Sequence, residues 1–519
     1  MKKTNLWMLA AILTCVITLT SCSSNDDNYD GGDPIQPRTD IVDYTVMLYS
    51  VGGENLDIDT ERDMVRACKG LKDQDPNVRF FVQYKYSSQQ GLDKQRQEEG
   101  GNYTYLGKAA SVYRFELVPS QLTYGGSDLG LFTDEMLYGS QQAAAQFYQP
   151  DSIASFINYC KQAGPAKNYI LIIGDHGSGY DVMGDTYKDG RGTRAVCNDG
   201  VLKNNPGISV HELREGIEKS GVHLKMVIYD DCLMNTLEVL SEYQDVADYV
   251  MASNHITTGG DFTLLDNGLR SAAGNGDFVG EIGKYMEQMM KEKYDNSLES
   301  DEVLEKFPNK KRHCDFVLTD MQKFKAVLPA MKQFTDKLVE LDSPKTLDAA
   351  EGCYQPSSGV SIYDVLSYAS LMKTANTELA ESVDNLTKTI EAAQAKHVYT
   401  QEVVNYLEKD DRYAPEYKKL SYLVNIGCGR SNAVGESFGL LRISAMNEDG
   451  DISCIDNNGQ YWFYDAETDM FTRDKSNADS QYSWANGYSL TAFEKATGWT
   501  RWILKNRDLP QNNPPFYFE

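Results

Sequence analysis

The sequence predicts an α/β protein built on a mostly parallel sheet flanked by helices, with an additional helical sector and a small C-terminal β-rich region. Two observations carry this expectation. The runs Tyr169-Ile170-Leu171-Ile172-Ile173 and Leu224-Lys225-Met226-Val227-Ile228-Tyr229 are nearly continuously apolar, as central parallel strands covered on both faces should be. Around them, strand-like runs alternate with stretches of helical spacing, the order that builds parallel sheets. With 519 residues, 41% of them hydrophobic, the chain has material for one large core or two to three domains.

Met1-Lys2-Lys3 followed by the apolar run 6–19 is an export signal, assigned to residues 1–21. Leu19-Thr20-Ser21-Cys22 resembles the lipobox of bacterial lipoproteins, which implies acylation of Cys22 and a lipid anchor in the outer membrane. Residues 22–42 are acidic and punctuated by Gly and Pro, so they are expected to form a flexible tether. Acidic residues just after the acylated cysteine also resemble the signal that sends some Gram-negative lipoproteins to the cell surface.

The catalytic core is expected over 43–274. Tyr44-Thr45-Val46-Met47-Leu48-Tyr49 opens it as a strand, Gly52-Gly53 breaks it, and 56–71 follows as a helix. A strand at 78–84, a surface loop at 87–102 and a hairpin-like pair at 103–106 and 112–118 come next. A helix then begins with Asp151 as its cap, and another occupies about 210–219 between the two apolar runs. A helical sector packed on the core is assigned to 275–430, with helices at 278–291, 320–341 and 379–395 and a strand at 314–318. The remainder, 431–519, is aromatic and turn-rich, with strands at 438–443 and 460–464.

Composition excludes several function classes. With 50 Lys+Arg against 76 Asp+Glu the formal charge is −26, which leaves no basic surplus for a phosphate backbone and favours cationic substrates instead. None of the ten cysteines stands at C-x-x-C spacing, so zinc ribbons and thioredoxin-type motifs are not expected. Most are read as core thiols, with any pairing left open.

Each apolar run ends in a polar cluster: Gly174-Asp175-His176-Gly177-Ser178-Gly179-Tyr180 after the first, Tyr229-Asp230-Asp231-Cys232-Leu233-Met234-Asn235 after the second. In open α/β sheets ligands gather beyond the carboxyl ends of the strands, so both clusters fall where chemistry is expected. A cysteine and a histidine placed there can form a dyad, the thiolate as nucleophile and the imidazole as proton donor to a leaving amine. The amides of Gly177 and of Cys232, the latter at the mouth of a following helix, are the expected oxyanion donors. The plainer alternative has His176 capping a turn and Cys232 as a small buried residue. His211, His223, His255, His313 and His397 lack comparable surroundings.

Asp175-His176-Gly177-x-Gly179 after one strand, and Asp230-x-Cys232-Leu233-Met234 with Glu238 after the next, resemble the clostripain family of cysteine endopeptidases. The opening strand, Pro165-Ala166-Lys167-Asn168-Tyr169, Met251-Ala252-Ser253 and Thr497-Gly498-Trp499 extend the resemblance over about 43–505. It implies a caspase-like fold and cleavage of protein or peptide substrates after Arg or Lys. Asp230 matches the acidic position of the specificity pocket, its alternative role being the cap of a helix starting at Cys232; Asp261 is a second pocket candidate. The resemblance also implies self-cleavage between the His and Cys loops, with Lys188, Arg191 and Arg194 as candidate sites. No metal or other cofactor is needed for those steps. Calcium activates some relatives, although no EF-hand-like ligand spacing is present. Two positions depart from the pattern: Asp231 replaces a small residue before the nucleophile, and Gly174 replaces an aromatic. The first is the best argument for the alternative reading, a catalytically inactive surface binding lipoprotein that keeps the peptidase fold. A carbohydrate-binding lipoprotein would need the Tyr and Trp residues on one exposed face.

Overall fold

The structure, a computed structural model, describes residues 38–71, 77–118, 124–125, 128–129, 147, 149–177, 179, 196–197, 201, 207–257, 260–295, 314–341, 353, 362–401, 403–404 and 420–425. Toward the C-terminus it describes 441–446, 452–456, 461–465, 470–472, 481–482, 491–499, 501–502 and 516–518. Residues 22–37 of the expected tether, Cys22 among them, and Lys188, Arg191 and Arg194 lie outside these residues; the last part of that stretch is no free tether, since the Arg38 N–H donates to the Gln162 carbonyl at 3.2 Å and Val42 is buried as the start of the first strand.

Eight strands form the main sheet: β1 Val42–Val51, β2 Val78–Lys85, β3 Val112–Glu116, β4 Ala166–Gly174, β5 Leu224–Asp230, β6 Ala247–Ala252, β7 Asp315–Asp320 and β8 Gln394–Tyr399. Their spatial order is β8-β7-β6-β5-β4-β1-β2-β3. The five strands from β2 to β6 pair in parallel, while β3, β7 and β8 pair antiparallel at the two edges. This mostly parallel sheet, flanked by helices, is the α/β arrangement expected of a caspase-like fold. Because β7 and β8 belong to the 275–430 stretch, that stretch shares the sheet with the residues before it.

Side-chain alternation explains why the strands read as unbroken apolar runs. Met47, Tyr49, Leu171, Ile173, Val227 and Tyr229 enter one core, whereas Val46, Leu48, Ile170, Ile172, Met226 and Ile228 enter the other. The helices α1 Asp57–Gly70, α6 Phe262–Asn275 and α7 Phe278–Met289 cover the second face. On the first face lie α3 Pro150–Ala163, α4 Val210–Ser220, α5 Leu237–Ser241, α8 Val327–Leu341, α9 Val365–Ala375 and α10 Ala380–Ala393. The helix α11 Ala492–Thr497 joins them, and the fully buried Trp499 stacks on Phe334 in the same core. A six-stranded antiparallel sheet, built from Leu441–Met446, Ile452–Asp456, Tyr461–Asp465, Met470–Thr472, Gln481–Tyr482 and Phe516–Phe518, forms the C-terminal β-rich part.

Three local expectations are corrected. The polar stretch 87–102 is not a loop: α2 Gln89–Glu98 occupies most of it, started by the Ser88 side chain accepting the Gly91 N–H. It buries only Gly91, Leu92 and Gln95, too thin an apolar stripe for periodicity to reveal. Residues 103–106 are no strand, and β3 pairs with β2 instead. Asp151 is not the cap of α3, since Pro150 already occupies its first turn; Asp151 receives the Lys219 ammonium at 3.0 Å. Among the described residues no helix is long and apolar enough to cross a membrane.

Candidate active site

Strands β4 and β5 are hydrogen-bonded neighbours whose register sets Gly174 opposite Asp230. His176 and Cys232 each follow by two residues, so the two loops leave the sheet side by side at its carboxyl edge. The sheet order reverses between β1 and β4, the switch point where crevices open in such sheets. Two contacts lock the loops together. The Asp175 N–H donates to Asp231 Oδ1 at 2.6 Å. Gly177 lies so close to the Cys loop that an added Cβ would come within 2.8 Å of the Cys232 nitrogen. The Gly177 and Cys232 backbones therefore meet, although the helix expected to begin at Cys232 does not form. Residues 231–235 make a turn with Leu233 in the left-handed region (φ 64°), and α5 starts only at Leu237, capped by Thr236.

Cys232 is half-buried, and its Sγ accepts the Thr257 N–H at 3.4 Å. Burial raises the thiol pKa; the Thr257 hydrogen bond opposes this, while the carboxylates of Asp231 and Asp230 add to it. His176 is open to solvent on part of its ring, and its Nε2 lies 2.6 Å from Asn55 Oδ1. Its surroundings lower the imidazole pKa by desolvation. Both shifts favour the uncharged forms, and each group is held by its own neighbour.

Asp230 is the last residue of β5 and caps no helix. Burial raises its pKa, against which the Lys293 charge and the Gly260 amide act, and its Oδ1 has no hydrogen-bond partner among the described residues. Lys293 donates to the Gly260 carbonyl at 2.8 Å and lies 3.7 Å from Asp63, whose own carboxyl is pushed up to about 7 by burial. Asp261 neighbours this group but serves as the cap of α6, accepting the Leu264 N–H at 3.1 Å. Asp231 is wholly buried, and its Oδ1 is engaged by the Asp175 amide. Burial and the neighbouring carboxylates of Asp175 and Asp230 push its pKa well up, toward the neutral form.

The Cys232 turn rests on a second buried group. Leu233 and Asn235 donate their N–H groups to the carbonyls of His255 and Ser253, each at 3.0 Å. That segment is fixed by Asp315, which accepts from the Asn254 N–H at 2.8 Å and pairs with His255 Nδ1 and His397 Nε2, both at 2.7 Å. Asn55, Thr257 and Asp315 also belong to the site, outside both polar clusters of the sequence. Asn55 alone had a legible signal: it follows Gly52-Gly53 at the carboxyl end of β1, on the same sheet edge. Among the described residues no three His, Cys, Asp or Glu side chains gather as a metal site.

The model of the clostripain family matches residues 132–505, well over half of the chain. The chain belongs to the clostripain family. Members of this family are cysteine peptidases that need no cofactor for catalysis. Clostripain of Hathewaya histolytica is 26% identical over 228 residues, a stretch that spans 42% of this chain and 40% of that protein. Among solved structures, the secreted C11 cysteine protease iotapain from Bacteroides thetaiotaomicron gives a TM-score of 0.48 at 15% identity, covering 70% of this chain and 88% of that one. A secreted C11 protease of the same organism in complex with an irreversible peptide inhibitor gives 0.46 at 12% identity, covering 75% and 91%. An inactive zymogen C11 protease from Parabacteroides distasonis gives 0.46 at 15% identity, covering 76% and 94%.

Proposed function

We propose that this clostripain-family chain is an exported, lipid-anchored cysteine endopeptidase that cleaves protein and peptide substrates after Arg or Lys. One observation carries the reading: the His176 and Cys232 loops are clamped together at the carboxyl edge of the sheet, next to its switch point, with the backbones of Gly177 and Cys232 in contact. Cys232 gives its proton to His176 and attacks the scissile carbonyl, and the Gly177 and Cys232 amides hold the oxyanion. The imidazolium then protonates the departing amine, leaving a thioester. Water, deprotonated by His176, resolves the thioester and frees the thiol.

The specificity follows from Asp230. A buried carboxylate with an oxygen lacking a hydrogen-bond partner favours a guanidinium or ammonium that brings both charge and donors. Asp261, on the rim of the same group, adds to the negative field. Activation proceeds by self-cleavage after Lys188, Arg191 or Arg194, in the Gly- and Asp-rich connector between the two loops. Lipidation at Cys22 anchors the enzyme to the outer membrane.

The test compares the mature chain with Cys232→Ala and His176→Ala on Arg-, Lys- and Asp-based fluorogenic peptides, with and without a chelator. Both variants should lose turnover, and Arg and Lys peptides should be preferred. Equal activity of Cys232→Ala and the parent chain would remove the nucleophile; a preference for Asp would remove the pocket assignment. The chelator arm separates a calcium-stimulated enzyme from a calcium-independent one. N-terminal sequencing of the processed chain identifies the activating cut.

A further inference from the structure

We propose that Asn55 is the third member of this site, a positioning residue whose side-chain oxygen fixes the tautomer and tilt of the His176 ring so that Nδ1 exchanges the proton with Cys232. The proposal rests on the reading of His176 and Cys232 as a dyad. Asn55 Oδ1 lies 2.6 Å from His176 Nε2. An amide oxygen only accepts, so Nε2 carries the hydrogen and Nδ1 keeps its lone pair. The Cδ2–Nε2 edge of the ring faces the Gly53–Asn55 turn, Cδ2 toward Gly53 and Nε2 on Asn55, which leaves Nδ1 on the opposite edge. Without such a partner a ring this open to solvent would turn about its side-chain bonds and present either nitrogen.

The turn that aims Asn55 is built under strain. After β1 the chain passes through Gly53 (φ 51°) and Glu54 (φ 69°), two consecutive left-handed residues, the second of which carries a side chain that disfavours this conformation. Neighbouring groups hold it there. The Glu54 carboxylate accepts the Ser88 N–H at 2.9 Å and the Ser88 hydroxyl at 2.6 Å, and the Glu54 N–H donates to Ser87 Oγ at 2.9 Å. Ser87 is in turn bound through its N–H to the fully buried Asp57, at 3.1 Å, which also accepts from Tyr84 and Gln95. Asn55 and Leu56 close the turn on the Gly52 carbonyl, at 3.1 and 2.8 Å.

Gly53 brings this turn against the His loop. A Cβ there would approach Asp175 Oδ1 at 2.5 Å and His176 Cδ2 at 3.3 Å, so only glycine allows the contact. A left-handed glutamate clamped by two serines, beside a glycine pressed on the histidine, has one evident product: the placement of the Asn55 side chain. The neutral amide orients the ring without adding a negative charge beside it, unlike a carboxylate in the same place.

The experiment uses the full chain, every variant cut in the connector by the same added protease so that processing does not depend on its own activity, with Asn55→Ala and Asn55→Asp alongside Cys232→Ala and His176→Ala. Asn55→Ala should lower kcat about tenfold to a hundredfold, the scale of a misplaced catalytic group, with KM and melting temperature unchanged. Asn55→Asp restores the acceptor and should recover most of that loss. In ¹⁵N-histidine-labelled Cys232→Ala chain, Asn55→Asp should raise the His176 pKa by about one unit or more. The proposal is overturned by Asn55→Ala with parental kcat while Cys232→Ala is dead. It is equally overturned by a loss that tracks melting temperature and is not recovered by Asn55→Asp, or by a His176 titration indifferent to residue 55. Full activity of Cys232→Ala and His176→Ala would remove the dyad itself, whereas the titration reads the Asn55–His176 contact without turnover.

Discussion

Asp315 and Asp231 both lie without solvent exposure beneath the turn that carries Cys232, yet their surroundings differ. Asp315 accepts from the Asn254 N–H and Nδ2, from Ser253 Oγ, and from two histidines, which together hold its carboxyl far below the usual carboxylate range. Asp231 has one strong donor, the Asp175 N–H, and an Oδ2 with no hydrogen-bond partner among the described residues; Asp230 beside it has an unmatched Oδ1. Burial pushes both of these upward. A buried carboxylate supplied with every donor it needs holds a loop in place. One left short of donors is poised to take a proton or a cation. The carboxylates toward β4 and the Gly260 turn are of the second kind, and that is the side on which the dyad and the specificity pocket are proposed.

Four changes break or sharpen this contrast. Asp315→Ala should be the most damaging, because it leaves His255, His397 and Asn254 without their shared acceptor; a loss of about 3–5 kcal/mol is expected in urea unfolding. Asp230→Asn should leave the melting temperature unchanged or slightly raised, since it removes an under-compensated charge. The same change should cut kcat/KM for Arg and Lys peptides about a hundredfold or more, and a parental value would end the pocket assignment. Asp231→Ala frees the His loop from the Cys loop and should lower kcat about tenfold, whereas Asp231→Asn keeps an acceptor for the Asp175 amide and should stay near the parent. Equal activity of the two variants would show that the clamp does not matter.

The smallest effect concerns pH. Asp230 is raised by burial and pulled down by Lys293, so it protonates above the ordinary aspartate range as pH falls, and binding of a basic P1 residue weakens with it. KM for Arg peptides should therefore rise on the acid side. Lys293→Met removes the opposing cation, and the rise should begin at higher pH. A shift in the other direction would mean that Lys293 does not act on Asp230.

The legibility of the sequence followed the same division. Strands β4 and β5, with the clusters holding His176 and Cys232, were visible because both faces of each strand are apolar and the polarity changes abruptly at their ends. The Asp315 group was not visible: its members come from β7, β8 and the segment just after β6, and nothing local to His255 or His397 announces an aspartate 60 or 82 residues away. Asn55 stands 121 residues from His176, and its aim depends on the left-handed conformation of Glu54, which no residue pattern specifies. The expectation of a surface loop at 87–102 failed for the opposite reason, since a capping serine and three buried residues sufficed to form α2.

The β4–β5 pairing bears on what a cut in the connector would do. Five registered residue pairs, from Ile170–Met226 to Gly174–Asp230, join the portion upstream of the connector to the portion downstream. On the downstream side α4 begins with a capping box of Ser209 and Glu212, and its Gly216 packs on α3 from upstream. Backbone scission there would yield a heterodimer of fragments rather than two separate proteins: two bands on a denaturing gel, one particle of unchanged mass in gel filtration.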